Sequence, residues 1–98
     1  MKLAVFVSDF KSTVDTLERL TAEKLGIILV ENGVYHAVIK EKGAHSSLLK
    51  KPATFYVLSE DLATRGLSNL NVANNVKVVN YNDLVDLIFN DYEKLAWL

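Results

Sequence analysis

The polar residues with the most organised spacing lie in Ser59-Glu60-Asp61-Leu62-Ala63-Thr64-Arg65-Gly66. Asp61 and Arg65 stand four apart, which places a carboxylate and a guanidinium on one face of a helix. There they can pair, or together address a partner subunit or an anionic group. Ser59 can cap such a helix, Glu60 and Asp61 suit the positive end of its dipole, and Gly66 suits the left-handed position that closes it. Helix punctuation thus accounts for every residue here without any function. A second candidate is Glu31-Asn32-Gly33-Val34, where a glycine at a strand-to-helix turn lets backbones approach closely and free N–H groups can hold an anion. Its structural counterpart is Asn32 as a helix cap beside a turn glycine.

Other chemistry is absent by residue type or spacing. His36 and His45 show no zinc-ligand spacing, and His36 reads as a residue on a partly buried helix face. No serine stands in a Gly-x-Ser-x-Gly context, and no glycine-rich phosphate loop accompanies Gly33. The acidic pairs Glu60-Asp61 and Asp83/Asp86 read as helix N-terminal and solvent-face residues. The chain contains no cysteine, which excludes disulfides, thiolate metal sites and a sulfur nucleophile. The expectation is therefore no catalytic residue, no metal and no cofactor on this chain.

Elements that could position these residues follow from hydrophobic patterning. Leu3–Val7, Leu25–Val30, Ala53–Leu58 and Val76–Val79 are unbroken apolar runs, as in strands covered on both faces of a parallel sheet. Phe10, Val14, Leu17 and Leu20 recur at helical spacing; Val34, Ala37 and Val38 fit one helical face; Leu84, Leu87 and Ile88, with Val85 and Phe89 beside them, mark a final helix. Lys40–Lys51 and Leu67–Asn75 read as loops. Alternating strands and helices predict an α/β fold, a small three-layer sandwich around a mostly parallel sheet. Right-handed crossovers then align the strand ends Ser8, Glu31, Ser59 and Asn80 along the carboxyl edge, where ligands and partners usually bind. The tail, with Leu95, Trp97 and Leu98, must be covered either by the chain's own sheet or by another subunit.

Ninety-eight residues predict a single domain, 1–98. Eleven basic residues against twelve acidic ones give a net charge of -1, with no basic stripe to suit nucleic acid. The short apolar run before Ser8 falls below a membrane span or a signal-peptide core, which predicts a soluble, cytoplasmic protein with no membrane partner.

Four segments in order carry a family resemblance: Ile27-Ile-Leu-Val-Glu-Asn-Gly-Val34, Phe55-Tyr-Val-Leu-Ser-Glu-Asp-Leu-Ala-Thr-Arg-Gly-Leu67, Val78-Val-Asn-Tyr-Asn-Asp-Leu-Val-Asp-Leu87 and Leu95-Ala-Trp-Leu98. They resemble the TusB/DsrH family of sulfur-relay proteins. The resemblance implies a DsrEFH-like fold and assembly with DsrE/TusD-like and DsrF/TusC-like subunits, in complexes that carry persulfide sulfur toward tRNA wobble 2-thiouridine or within sulfur oxidation. Some DsrH-type members have a cysteine in the first helix; the corresponding Asp15-Thr-Leu-Glu18 has none, so a partner's thiolate would hold any persulfide. The expectation is a non-catalytic subunit, with Asn32, Gly33, Asp61, Arg65 and Trp97 at a subunit interface or partner contact. The alternative is a stand-alone homo-oligomeric module that binds a small anion or nucleotide at the carboxyl edge, through the Asn32-Gly33 turn and the Ser59 helix N-terminus.

Overall fold

The computed structural model describes residues 2–8, 24–38, 40–41, 44–45, 53–67 and 72–97. Strand β1 (Lys2–Val7) pairs in parallel with β2 (Lys24–Leu29), Val5 opposite Ile27. A 3-10 turn (Glu31–Val34) runs into the one-turn helix α1 (Tyr35–Val38). A two-residue antiparallel ladder, β3 (Lys40–Glu41) with β4 (Ala44–His45), follows. Next come β5 (Thr54–Leu58), α2 (Ser59–Thr64), β6 (Val76–Val79), α3 (Tyr81–Asp91) and β7 (Lys94–Trp97). The main sheet has the order β6-β5-β2-β1-β7, with every pairing parallel.

Period-two alternation sorts the strand side chains into two cores, which is why the central strands read as unbroken apolar runs. Leu3, Val5, Val7, Leu25, Ile27, Leu29, Phe55 and Val57 pack on one face with Val34, Ala37 and Leu62 from the 3-10 turn, α1 and α2. Ala4, Ile28, Tyr56 and Leu58 pack on the other face with Leu84 and, partly buried, Leu87 and Ile88 of α3. The sheet is thus the middle of three layers.

Three expectations change. The polar Lys40–Lys51 segment contains the short β3–β4 ladder, so it is not loop throughout. The tail is a strand: β7 lies beside β1, with Trp97 opposite Phe6. It is clamped at its start, where Glu93 N–H donates to the Lys2 carbonyl (2.8 Å) and the Lys2 N–H donates to Glu93 Oε1 (2.8 Å). The Ser59 side chain does not cap α2. Leu58 occupies the N-cap position without a side-chain cap, and the Ser59 hydroxyl donates to Glu60 Oε1 at 3.0 Å. The helix expected over Phe10–Leu20, residues 68–71 of the loop expected over Leu67–Asn75, and Leu98 of the tail lie outside the described residues.

Two glycines meet close approaches. Tyr92 is buried against β2, where its ring fills the space that a Cβ on Gly26 would occupy. The Tyr92 hydroxyl lies 3.4 Å from that of Tyr56; burial first, then this neighbour, pushes the phenol well above its ordinary pKa and keeps it neutral. Gly66 closes α2 at φ +67° in a Schellman arrangement: Leu67 N–H donates to the Leu62 carbonyl (2.9 Å) and Gly66 N–H to the Ala63 carbonyl (3.1 Å). A Cβ at Gly66 meets nothing within 4 Å, so only backbone strain opposes substitution. Gly66→Ala is expected to cost about 1 kcal/mol, a fall of about 4–8 °C in Tm by calorimetry.

Candidate functional site

The carboxyl ends of the parallel strands form one edge, and the residues singled out in the sequence meet there across three elements. Glu31 leaves β2 at φ +49°, a left-handed conformation uncommon for a residue with a side chain. Its N–H donates to Asp61 Oδ2 on α2 at 2.7 Å, which holds the turn in place. Arg65, one helical turn past Asp61, reaches back with Nε donating to Asn32 Oδ1 (3.2 Å) and Nη1 donating to the Asp61 carbonyl (3.3 Å). The Asp61–Arg65 ion pair is long, 3.9 Å, and both side chains are partly covered. The pair therefore acts less on its own helix than as a clasp on the Glu31–Asn32 turn. Asn32 is not a helix cap: Val30 occupies that position without a side-chain bond, and the Asn32 amide serves Arg65 instead. Gly33 is buried with its Cα against the Val7 carbonyl of β1.

A second clasp, invisible in the sequence, ties α2 to α3. Glu60 Oε2 accepts the Tyr81 N–H at 3.2 Å while Oε1 accepts the Ser59 hydroxyl. Asn80 caps α3 in the ordinary way, its Oδ1 accepting from Asp83 N–H at 2.8 Å. Lost hydration pushes the Glu60 carboxyl up, but the hydrogen bonds from Tyr81 N–H, its own N–H and Ser59 outweigh it and hold the group below 4.5. A lowered folded-state value means that this carboxylate stabilises the fold above the unfolded-state pKa, and that the contribution disappears as pH falls through the folded value. Glu60→Gln is expected to lower Tm at neutral pH, with the difference from wild type shrinking as pH drops below about 4.5. A difference that stays constant in thermal melts from pH 7 to pH 3 would disprove this role.

Between α3 and β7 the edge opens into a groove of about 190 Å³ lined by Phe6, Val30, Glu31, Leu58, Asp61, Tyr81, Leu84 and Trp97. Trp97 stacks on Phe6, with ring centroids 5.0 Å apart and planes 20° from parallel. Of the residues expected at a site, Asp61 and Trp97 line this groove, Asn32 and Arg65 bond to each other outside its lining, and Gly33 is seated on Val7 of β1. Phe6, Tyr81 and Leu84 were not singled out for this edge; Tyr81 could have been found from its place just after the α3 cap. His36 is buried in α1 and far from any metal-ligand pattern: no group of three or more His, Cys, Asp or Glu among the described residues could hold a metal ion.

Among the described residues, the large exposed apolar side chains are not scattered. Tyr81, Val85, Phe89, Leu95 and Trp97 are each at least 50 % exposed, and all lie on α3 or β7. The first three recur at i, i+4 and i+8, so they form a stripe down one flank of α3. Asp83, Asp86 and Asn90 occupy the other flank. Leu95 and Trp97 alternate with Ala96 and so share the α3 face of the sheet. No helix among the described residues is long and apolar enough to cross a membrane.

Fold and sheet order define the class: a small α/β protein with an all-parallel five-stranded sheet, matched over its whole length by the crystal structure of the E. coli ychN protein (TM-score 0.70, 14% identity, 100% of both chains). The solution structure of protein Tm0979 from Thermotoga maritima is similar at TM-score 0.63 and 26% identity, over 89% of this chain and 91% of that one. At the level of sequence, the family described as "DsrH like protein" matches residues 7–94. The proteins named TusB from Yersinia pestis (strain Pestoides F) and Yersinia pseudotuberculosis (serotype O:1b, strain IP 31758) are each 32% identical over 97 residues, 99% of this chain and 100% of theirs. The chain belongs to the DsrH/TusB family.

Proposed function

We propose that this protein is a non-catalytic, cytoplasmic subunit of a sulfur-relay complex, docking through its α3/β7 face onto DsrE/TusD-like and DsrF/TusC-like subunits that carry the persulfide. The observation that carries the reading is the pairing of DsrH/TusB family membership with a chain that contains no cysteine. A persulfide needs a thiolate to hold it, so the covalent chemistry falls to another subunit. The relay feeds tRNA wobble thiolation or sulfur oxidation, and this chain completes the assembly. Support comes also from the apolar stripe of Tyr81, Val85 and Phe89 beside Leu95 and Trp97, since aromatic residues of this kind anchor subunit contacts. Asn32, Gly33, Asp61 and Arg65 contribute by fixing the turn that shapes one end of that face.

The stand-alone anion-binding module fares worse on hydrogen-bond accounting. Of the donors named for it, Gly33 N–H is taken by the Val30 carbonyl (2.8 Å), and at the same edge Glu31 N–H is taken by Asp61 and Tyr81 N–H by Glu60. An anion at this edge would also sit beside the Asp61 and Glu60 carboxylates that hold those two N–H groups. Purification of the tagged protein from its native cell is expected to bring down cysteine-bearing subunits in fixed ratio. A monomer that emerges alone at every ionic strength would refute the reading.

A further inference from the structure

We propose that the groove walled by Phe6, Tyr81 and Trp97 receives an arginine side chain from a partner subunit, with Glu31 as its counter-charge. Size comes first. About 190 Å³ is below the roughly 300–1,000 Å³ of ordinary small-molecule sites, but it accommodates one long side chain. The lining comes next. Val30, Leu58 and Leu84 suit an alkyl stem, while Trp97, stacked on Phe6 and still 61% exposed, offers a ring face to a cation.

Charge then selects the occupant. Glu31 and Asp61 are the charged residues of the lining, and no lysine or arginine is among them. Asp61 is committed to Glu31 N–H and to Arg65. The exposed Glu31 carboxylate has no hydrogen bond or ion pair among the described residues, and the left-handed turn that Asp61 secures sets it at the groove wall. A carboxylate with no partner among the described residues, set beside an aromatic face, matches a guanidinium better than an ammonium. The planar guanidinium stacks on the ring, forks onto a carboxylate and is the more weakly hydrated of the two. Arg65, the one arginine among the described residues, is already held by Asn32 and Asp61, so the occupant is sought on another subunit.

The inference rests on the reading that this chain docks onto other subunits, but its test needs the chain alone, so the two can fail separately. Trp97 is the only tryptophan, so its fluorescence reports on the groove directly. Titration with N-acetyl-arginine methylamide is expected to change the emission saturably, with the response weakening as salt is raised. The citrulline analogue, isosteric and uncharged, is expected to give no saturable change, and the lysine analogue to bind several-fold more weakly. Glu31→Gln, a substitution at an exposed side chain, is expected to weaken arginine binding about fivefold while leaving Tm in place. Equal responses to arginine and citrulline, no response to arginine, or undiminished binding by Glu31→Gln would each overturn the proposal.

Discussion

Replacing Gly33 with alanine is expected to destabilise the protein by about 3 kcal/mol, the upper end of ordinary overpacking costs, and to lower Tm by about 12–24 °C. The new Cβ would collide with the Val7 carbonyl and sit 2.8 Å from the carbonyl carbon. That obstacle is the backbone of β1, a central strand hydrogen-bonded to β2 and β7, so it cannot yield without breaking the ladder. Gly26→Ala provides the contrast. Its Cβ would meet the Tyr92 ring, a side chain that can swing outward at the cost of its packing against Tyr56. Gly33→Ala should therefore be the worse of the two, and it should also disturb Glu31 and Asn32 through the same turn. Calorimetry on both variants decides the matter: a Gly33→Ala melt within a few degrees of wild type would mean that the turn is not seated on β1 as described. With total stabilities of about 5–15 kcal/mol usual for such domains, the larger loss is expected to reduce the yield of folded protein as well.

Phe89→Ala separates stability from assembly. Phe89 is 82 % exposed, so its truncation in the isolated chain is expected to change stability by no more than about 0.5 kcal/mol. On the proposed docking face the same side chain is the most exposed aromatic of the apolar stripe, and loss of such an anchor is expected to cost about 2 kcal/mol, roughly a thirtyfold weaker association. Trp97→Ala should weaken association too, but it also removes the stack on Phe6 and so lowers the stability of the free chain by about 1 kcal/mol. Asp86→Ala, on the opposite flank of α3, is the control and should do neither. Competition binding between tagged wild-type and variant chains for the native partners reads the difference. If Phe89→Ala and Asp86→Ala assemble equally well, the α3/β7 face is not the docking surface.

The sheet was legible in the sequence because burial on both faces leaves a mark that needs no context. Val5, Ile27 and Val57 face one core, their neighbours Ala4, Ile28 and Tyr56 the other, and the result is an unbroken apolar run. β7 left a weaker mark: it is an edge strand of four residues whose Leu95 and Trp97 stay exposed, so its pattern fits a docked tail and a subunit contact alike. The docked tail is what the structure shows, since β7 pairs with β1, and Trp97 stays exposed on it. The capping assignments at Ser59 and Asn32 went astray by a residue or two, because a cap depends on where the helix starts and Leu58 and Val30 took those positions.

At the carboxyl edge the sequence showed which residues could interact but not with whom. Asp61 and Arg65 were legible as an i, i+4 pair, yet their stronger bonds run to Glu31 and Asn32, about thirty residues earlier. The Glu60–Tyr81 clasp spans twenty-one residues and has no local signature at all. The stripe of Tyr81, Val85 and Phe89 could have been separated from Leu84, Leu87 and Ile88 by helical phase alone. Which flank lies uncovered depends on where the sheet ends, and that is tertiary information.

The central claim is that this chain serves a persulfide carried by another subunit. Its most direct test is the intact mass of every subunit in the assembly purified from native cells and exposed to a persulfide-loaded donor. The account predicts this chain at its unmodified mass, together with at least one cysteine-bearing subunit heavier by one sulfur atom. An assembly with no cysteine-bearing subunit, or added sulfur on this chain, would contradict it.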